Sequence, residues 1–108
     1  MSRQYIETRL QLVYDTEFLN RISIKTNKQG GIVLSVDVHG MHPNAVRHFL
    51  TNIINLCNGA FQIRIIHGYN HGTILKDMIH SEKIHYRVYE KLAVDGNQGQ
   101  TLLNVNAA

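Results

Sequence analysis

Asp37 and His39, in the stretch Ile32–Gly40 (IVLSVDVHG), have the types and spacing for acid–base chemistry at one point. Successive side chains of a strand point to opposite faces. Val33, Ser35, Asp37 and His39 therefore share one face, and Ile32, Leu34, Val36 and Val38 share the other. A carboxylate and an imidazole stand together at the carboxyl end of the strand, and Gly40 breaks it directly behind them. In such a pair the imidazole takes a proton from an attacking oxygen or gives one to a leaving oxygen. The carboxylate fixes its tautomer, and such help is worth ~10²–10⁴-fold in rate. The competing, purely structural reading is that Asp37 caps a neighbouring backbone N–H while His39 anchors the turn.

A second segment carries complementary chemistry. His67–Thr73, HGYNHGT, joins a strand end to a helix start. Gly68 and Gly72 permit positive φ and close approach of backbone to a ligand. Thr73 suits the cap of the following helix, with free N–H groups and the positive dipole end aimed at the loop, a geometry that binds phosphate. A tight strand-to-helix turn uses the same residues. His67 falls on the isoleucine side of its strand, a partly buried structural position, whereas His71 lies in the loop and can contact phosphate or move a second proton. Arg64, on the polar side, is a phosphate contact; Arg47 and Lys76 read as solvated helix surface. Convergence of His39, His42 and His71 with Asp37 would suit zinc or manganese, but loop histidines are equally explained by polar exposure. No cofactor is expected, with a divalent metal as the secondary reading.

The elements that must position these groups follow from periodicity. After Ile32–His39, Pro43 suits the first turn of a helix. Within Ala45–Cys57, Val46, Phe49, Leu50, Ile53, Ile54 and Cys57 recur at spacings of three and four, an amphipathic helix that Asn58-Gly59 would end. Phe61–His67 is rich in β-branched residues and reads as a second strand. A second helix follows over about 73–80, with Ile74, Leu75, Met78 and Ile79 inward. Ile84–Leu92 alternates as a strand, with Ile84, Tyr86 and Val88 as the core side and His85, Arg87 and Tyr89 exposed. Asp95–Gly99 is a turn, and Gln100–Val105 pairs back as the last strand.

The order βαβαββ predicts an α+β chain, a two-layer α/β sandwich with a mixed four-stranded sheet and two helices on one face. The first crossover makes a right-handed parallel pair, and parallel strands end on one edge. That makes the Asp37–His39 pair and the 67–73 loop neighbours on the sheet's open side. Residues 1–30 form an amino-terminal arm, either a short helix or an extended segment packed on the domain edge, ahead of a domain over 31–108.

Composition bounds the rest. A chain of 108 residues, 44% hydrophobic, is one small domain with a modest core. Its single cysteine excludes an intramolecular disulfide and a multi-cysteine zinc site and fits a reducing interior. MSRQYIETRLQ has no apolar signal stretch, and no run approaches the ~18 apolar residues of a membrane span. A cytoplasmic protein with no membrane partner is expected. The net charge is +3, and no acid falls between Asp37 and Asp77, a window holding Arg47, Arg64, Lys76 and five of the seven histidines. That bias favours anionic partners.

Together, VDVHG, then IRIIHGYNHGT a helix-length later, then a glycine-bearing turn before LLNV resemble the Smr (small MutS-related) domain over roughly residues 32–105. Val36-Asp37-Val38-His39-Gly40 matches the family's L-D-x-H-G-like strand end. His67, Gly68 and Gly72 match its H-G-x-G-x-G-like loop, with Tyr69 where the family often has Lys or Arg and Asn70 where it often has Gly. Thr73 follows the last Gly as in short stand-alone bacterial members. The resemblance implies a fold like the carboxyl-terminal domain of translation initiation factor three. It also implies nucleic-acid binding and, as in several members, endonuclease activity on DNA or RNA through Asp37 and His39. The binding residues it implies are Gly40, Arg64 and the loop 67–73. Loss of a basic residue at Tyr69 weakens anion binding or alters its preference. The alternatives are a non-catalytic nucleic-acid- or ribosome-binding module of the same fold, and a phosphate-ligand or protein-interaction domain. By size, the chain acts as a monomer or a weak homodimer.

Overall fold

The computed structural model describes residues 1–68 and 73–108. Along the chain run α1 (Arg3–Val13), α2 (Thr16–Leu19), β1 (Ile22–Thr26), β2 (Ile32–Asp37), α3 (Pro43–Leu56), β3 (Phe61–Ile66), α4 (Ile74–Ser81), β4 (Val88–Val94) and β5 (Asn97–Val105). The sheet order is β1-β2-β3-β5-β4. β2 and β3 are parallel and the other neighbours antiparallel, so the sheet is mixed, as expected. It differs from expectation by one strand. Residues 22–26, read as part of an arm, alternate too briefly to declare themselves, yet they pair with β2 from Ile22↔Val36 to Thr26↔Ile32 and form the sheet edge.

Register separates the two faces. Ile24, Leu34, Ile63 and Leu103 align across four strands, and all are buried in one core with Ile6 and Leu10 of α1, Val46, Phe49, Leu50, Ile53 and Ile54 of α3, and Met78 and Ile79 of α4. The helices therefore cover one face. Two rows lie on the other: Ser23, Ser35, Arg64, Leu102 and Leu92, and Lys25, Val33, Gln62, Asn104 and Glu90. Hydrogen bonds tie the second row together, Gln62 Nε2 donating to Asn104 Oδ1 at 2.8 Å and Asn104 Nδ2 to Glu90 Oε1 at 2.6 Å.

The helices start where capping chemistry allows. Ser2 Oγ accepts from Tyr5 N–H at 3.1 Å. Before α3, His42 Nδ1 accepts from Asn44 N–H at 3.2 Å, with Pro43 in the first turn. The end of α3 departs from expectation. Gly59 is not among the glycines of positive φ, so Asn58-Gly59 forms no left-handed cap. Two arginines take the terminal carbonyls instead. Arg9 Nε donates to Leu56 O at 2.6 Å. Arg87 Nη1 donates to Ile54 O and Cys57 O, each at 2.7 Å, and Nη2 to Gly59 O at 3.0 Å.

This use of Arg87 reverses the sides expected for His85, Tyr86 and Arg87, whereas Val88 is buried, Ile84 packs on the core and Tyr89 is exposed, as expected. The strand begins only at Val88, after a turn in which Val88 N–H reaches His85 O at 3.0 Å. His85 and Arg87 are buried, whereas Tyr86 is 76% exposed, stacked on the His85 ring. Isolated alternation carries no sign of which side is inward; the carbonyls at the end of α3 decide it. Ile74, expected inward, is also exposed, and Met78 and Ile79 alone of that stripe are fully buried.

Candidate functional site

β2 delivers Asp37 at its last position, and the parallel ladder runs one step further as Val38 N–H donates to Ile66 O at 2.9 Å. Val38 is buried and holds the strand end in the core. The chain then turns: Met41 N–H returns to Val38 O at 3.0 Å, and Gly40 sits at φ +76°, a conformation costly for any residue with a Cβ. His39 lies between these anchors and folds back onto Asp37. Asp37 Oδ1 accepts from His39 N–H at 3.1 Å and is also hydrogen-bonded to His39 Nδ1.

A carboxylate only accepts, so Nδ1 carries a proton and Nε2 of the neutral ring is left as the acceptor. The His39 side chain is 67% exposed and that of Asp37 36%. The pair is thus oriented but open, a largely exposed imidazole one of whose nitrogens is held by a carboxylate. This is the arrangement for acid–base work.

β3 ends beside it. A Cβ placed on Gly68 would lie 3.6 Å from His39 Cβ, so the first glycine of the 67–73 loop is directly against the histidine. Gly68 has φ +73°, as expected of it. His67 and Gly68 both donate their N–H to Gly99 O at 3.0 Å, which ties the loop's start to β5. His67 is buried, as its strand alternation indicates. Its Nδ1 meets Gly68 O and its Nε2 meets Thr101 Oγ1, both at 2.9 Å, and His80 Nε2 reaches the same hydroxyl at 2.9 Å. Gly68 O only accepts, so the neutral His67 ring donates from Nδ1 and accepts the Thr101 proton at Nε2. His80 then donates to the Thr101 oxygen. His67 therefore shapes the loop from beneath rather than facing a ligand.

The remaining residues divide. Thr73 stands at the start of α4, but its hydroxyl donates to Asp77 Oδ2 at 2.7 Å rather than accepting from a helix N–H. Arg64 lies on the open face, opposite Ser35, with Nη1 donating to Gln100 Oε1 at 2.9 Å. Arg47 is engaged by Glu82, Nε and Nη2 donating to the two carboxylate oxygens at 2.6 and 2.7 Å. Tyr69, Asn70, His71 and Gly72 lie outside the described residues. Among the described residues no three metal-ligating side chains converge, and His42 uses its Nδ1 as a helix cap.

One site residue escaped the sequence reading. Arg21, just before β1, donates from Nη1 to Asp37 O at 3.0 Å and accepts Asp37 N–H at its carbonyl at 2.8 Å. Its signal was the cation itself, in a segment whose strand was not recognised. No helix of the described residues is long and apolar enough to cross a membrane. No family model, curated protein or solved structure matches the chain.

Proposed function

We propose that the chain is an Smr-like nucleic-acid-binding domain that cleaves phosphodiester bonds of DNA or RNA in the cytoplasm, with His39 as the proton-transfer group and Asp37 as its orienting partner. The observation that carries this reading is the Asp37–His39 contact on an exposed imidazole, with Gly68 beside the His39 Cβ. His39 Nε2 takes the proton of a water or a ribose 2′-OH as its oxygen attacks phosphorus. The imidazolium that forms is stabilised by Asp37, and the proton passes on to the leaving oxygen. Gly40 and Gly68 keep the backbone low around the reacting phosphate. The acid-free window from Val38 to Lys76 leaves a polyanion little to repel it.

The test incubates the purified protein with labelled RNA and DNA, with and without EDTA, beside His39→Ala. The proposal expects products from the wild type and none from the variant. Cleavage that persists in His39→Ala would overturn the assignment. Binding without cleavage in either protein would make the chain a non-catalytic module of the same fold. Affinity that does not fall with salt would remove the polyanion altogether.

A further inference from the structure

We infer that Arg21, brought by β1, forms with His39 an anion site that receives the phosphodiester group beside Asp37. The inference rests on the phosphodiester reading above and adds a residue from outside the segment that resembles the family. The register places it. β1 is antiparallel to β2, so its first residues meet the end of β2, and the Asp37 N–H bond to Arg21 O sets Arg21 directly opposite Asp37. Ile22 and Ile24 lie on the helix side, which leaves Arg21, Ser23 and Lys25 on the open side with Asp37.

The side chain is pinned and its charge is not quenched. Nη1 is fixed on the carbonyl of Asp37, one peptide before Val38-His39. Among the described residues that is its one side-chain hydrogen bond, and no carboxylate lies within 4.0 Å of it, Asp37's included. A guanidinium has five N–H donors in a planar fork that matches two phosphate oxygens. With one donor used for anchoring, the others are available at the edge of the Asp–His pair. The loop 67–73 carries no Lys or Arg, and Arg64 stands opposite Ser35, two residues before Asp37 on β2, with Nη1 donating to Gln100. Arg21 is therefore a cation set directly opposite Asp37 in the register, held in place before a ligand arrives.

The test compares wild type with Arg21→Gln, Arg21→Lys and Lys83→Gln. Gln retains a donor for Asp37 O, so the strand contact is kept while the charge goes; melting curves confirm the fold. Lys83→Gln removes the same charge from an exposed position just beyond the end of α4. Two readouts are taken. In the first, inorganic phosphate is titrated while NMR follows Arg21 Nε–H and the His39 ring nitrogens. Both respond in the wild type, and the His39 response is lost in Arg21→Gln. In the second, cleavage falls by ~10²–10³-fold in Arg21→Gln, less in Arg21→Lys, and the salt dependence of binding loses about one ion. Lys83→Gln changes neither.

If Arg21→Gln behaves as Lys83→Gln does, or phosphate moves neither Arg21 nor His39, the inference is wrong, while cleavage sensitive to His39→Ala leaves the nuclease reading standing. If phosphate binds through Arg21 but no oligonucleotide binds or is cut, the anion site stands and the nucleic-acid reading falls.

Discussion

At the scale of single residues, the site depends on one oxygen doing two things. Asp37 Oδ1 holds both the backbone N–H and the ring of His39, so a change there separates orientation from binding. Asp37→Asn lowers cleavage by ~10²–10⁴-fold. On the proposed function it also leaves RNA or DNA affinity unchanged or tighter, since a negative charge is removed from the site. Fluorescence anisotropy alongside a cleavage assay checks both. A second residue-scale expectation concerns acid. His85 Nε2 donates to Asn55 Oδ1 at 2.7 Å and its Nδ1 accepts Arg87 N–H at 3.2 Å, so the buried ring has no place for a second proton. Burial, and then the charge of Arg87, hold its pKa below the usual 6.5. The unfolded chain takes up this proton first as pH falls. The stability contributed by the neutral ring is complete above about pH 6.5 and is lost as pH drops from there toward the lower native value. Urea midpoints between about pH 7.5 and 5.5 fall in the wild type and fall less in His85→Gln.

At the scale of elements, two stops differ in kind. The β4–β5 hairpin turns on Asp95-Gly96, with Gly96 at φ +73° and open space where a Cβ would go. Gly96→Ala therefore meets backbone strain alone, about 1 kcal/mol, read as a lower Tm. The end of α3 has no local stop; it depends on Arg87, thirty residues on. Arg87→Met leaves the carbonyls of Ile54, Cys57 and Gly59 without their charged donor and costs more than about 3 kcal/mol. Arg87→Lys rescues little, because one ammonium cannot span the set. This contrast explains what was legible in the sequence. Asp37 and His39, the α3 stripe, β3 and the hairpin are written in nearest-neighbour periodicity and turn residues. The inward turn of His85 and Arg87, the strand at 22–26 and the place of Arg21 are set by partners remote in sequence, and no local pattern encodes them.

At the scale of the whole molecule, the segment before Ile32 is part of the core rather than an appendage. Ile6 and Leu10 are buried with α3, and Tyr14, Phe18 and Phe49 form an aromatic cluster with ring centroids 5.2 to 5.5 Å apart. Ile6→Ala costs about 2–5 kcal/mol. Removing residues 1–30 leaves β2 as a bare edge, and the remainder loses its cooperative melting transition by circular dichroism. The same packing sets the fate of Cys57, the chain's one cysteine. It is buried at the end of α3, and burial pushes its thiol up to about 11 even beside Arg87 and Arg9. At neutral pH it is a protonated, shielded nucleophile, silent toward alkylating reagents while the protein is folded. The chain thus carries its own clock for breathing motions. The rate at which a thiol reagent labels Cys57 counts how often the arginine-held end of α3 comes open, and Arg87→Met would make that clock run fast.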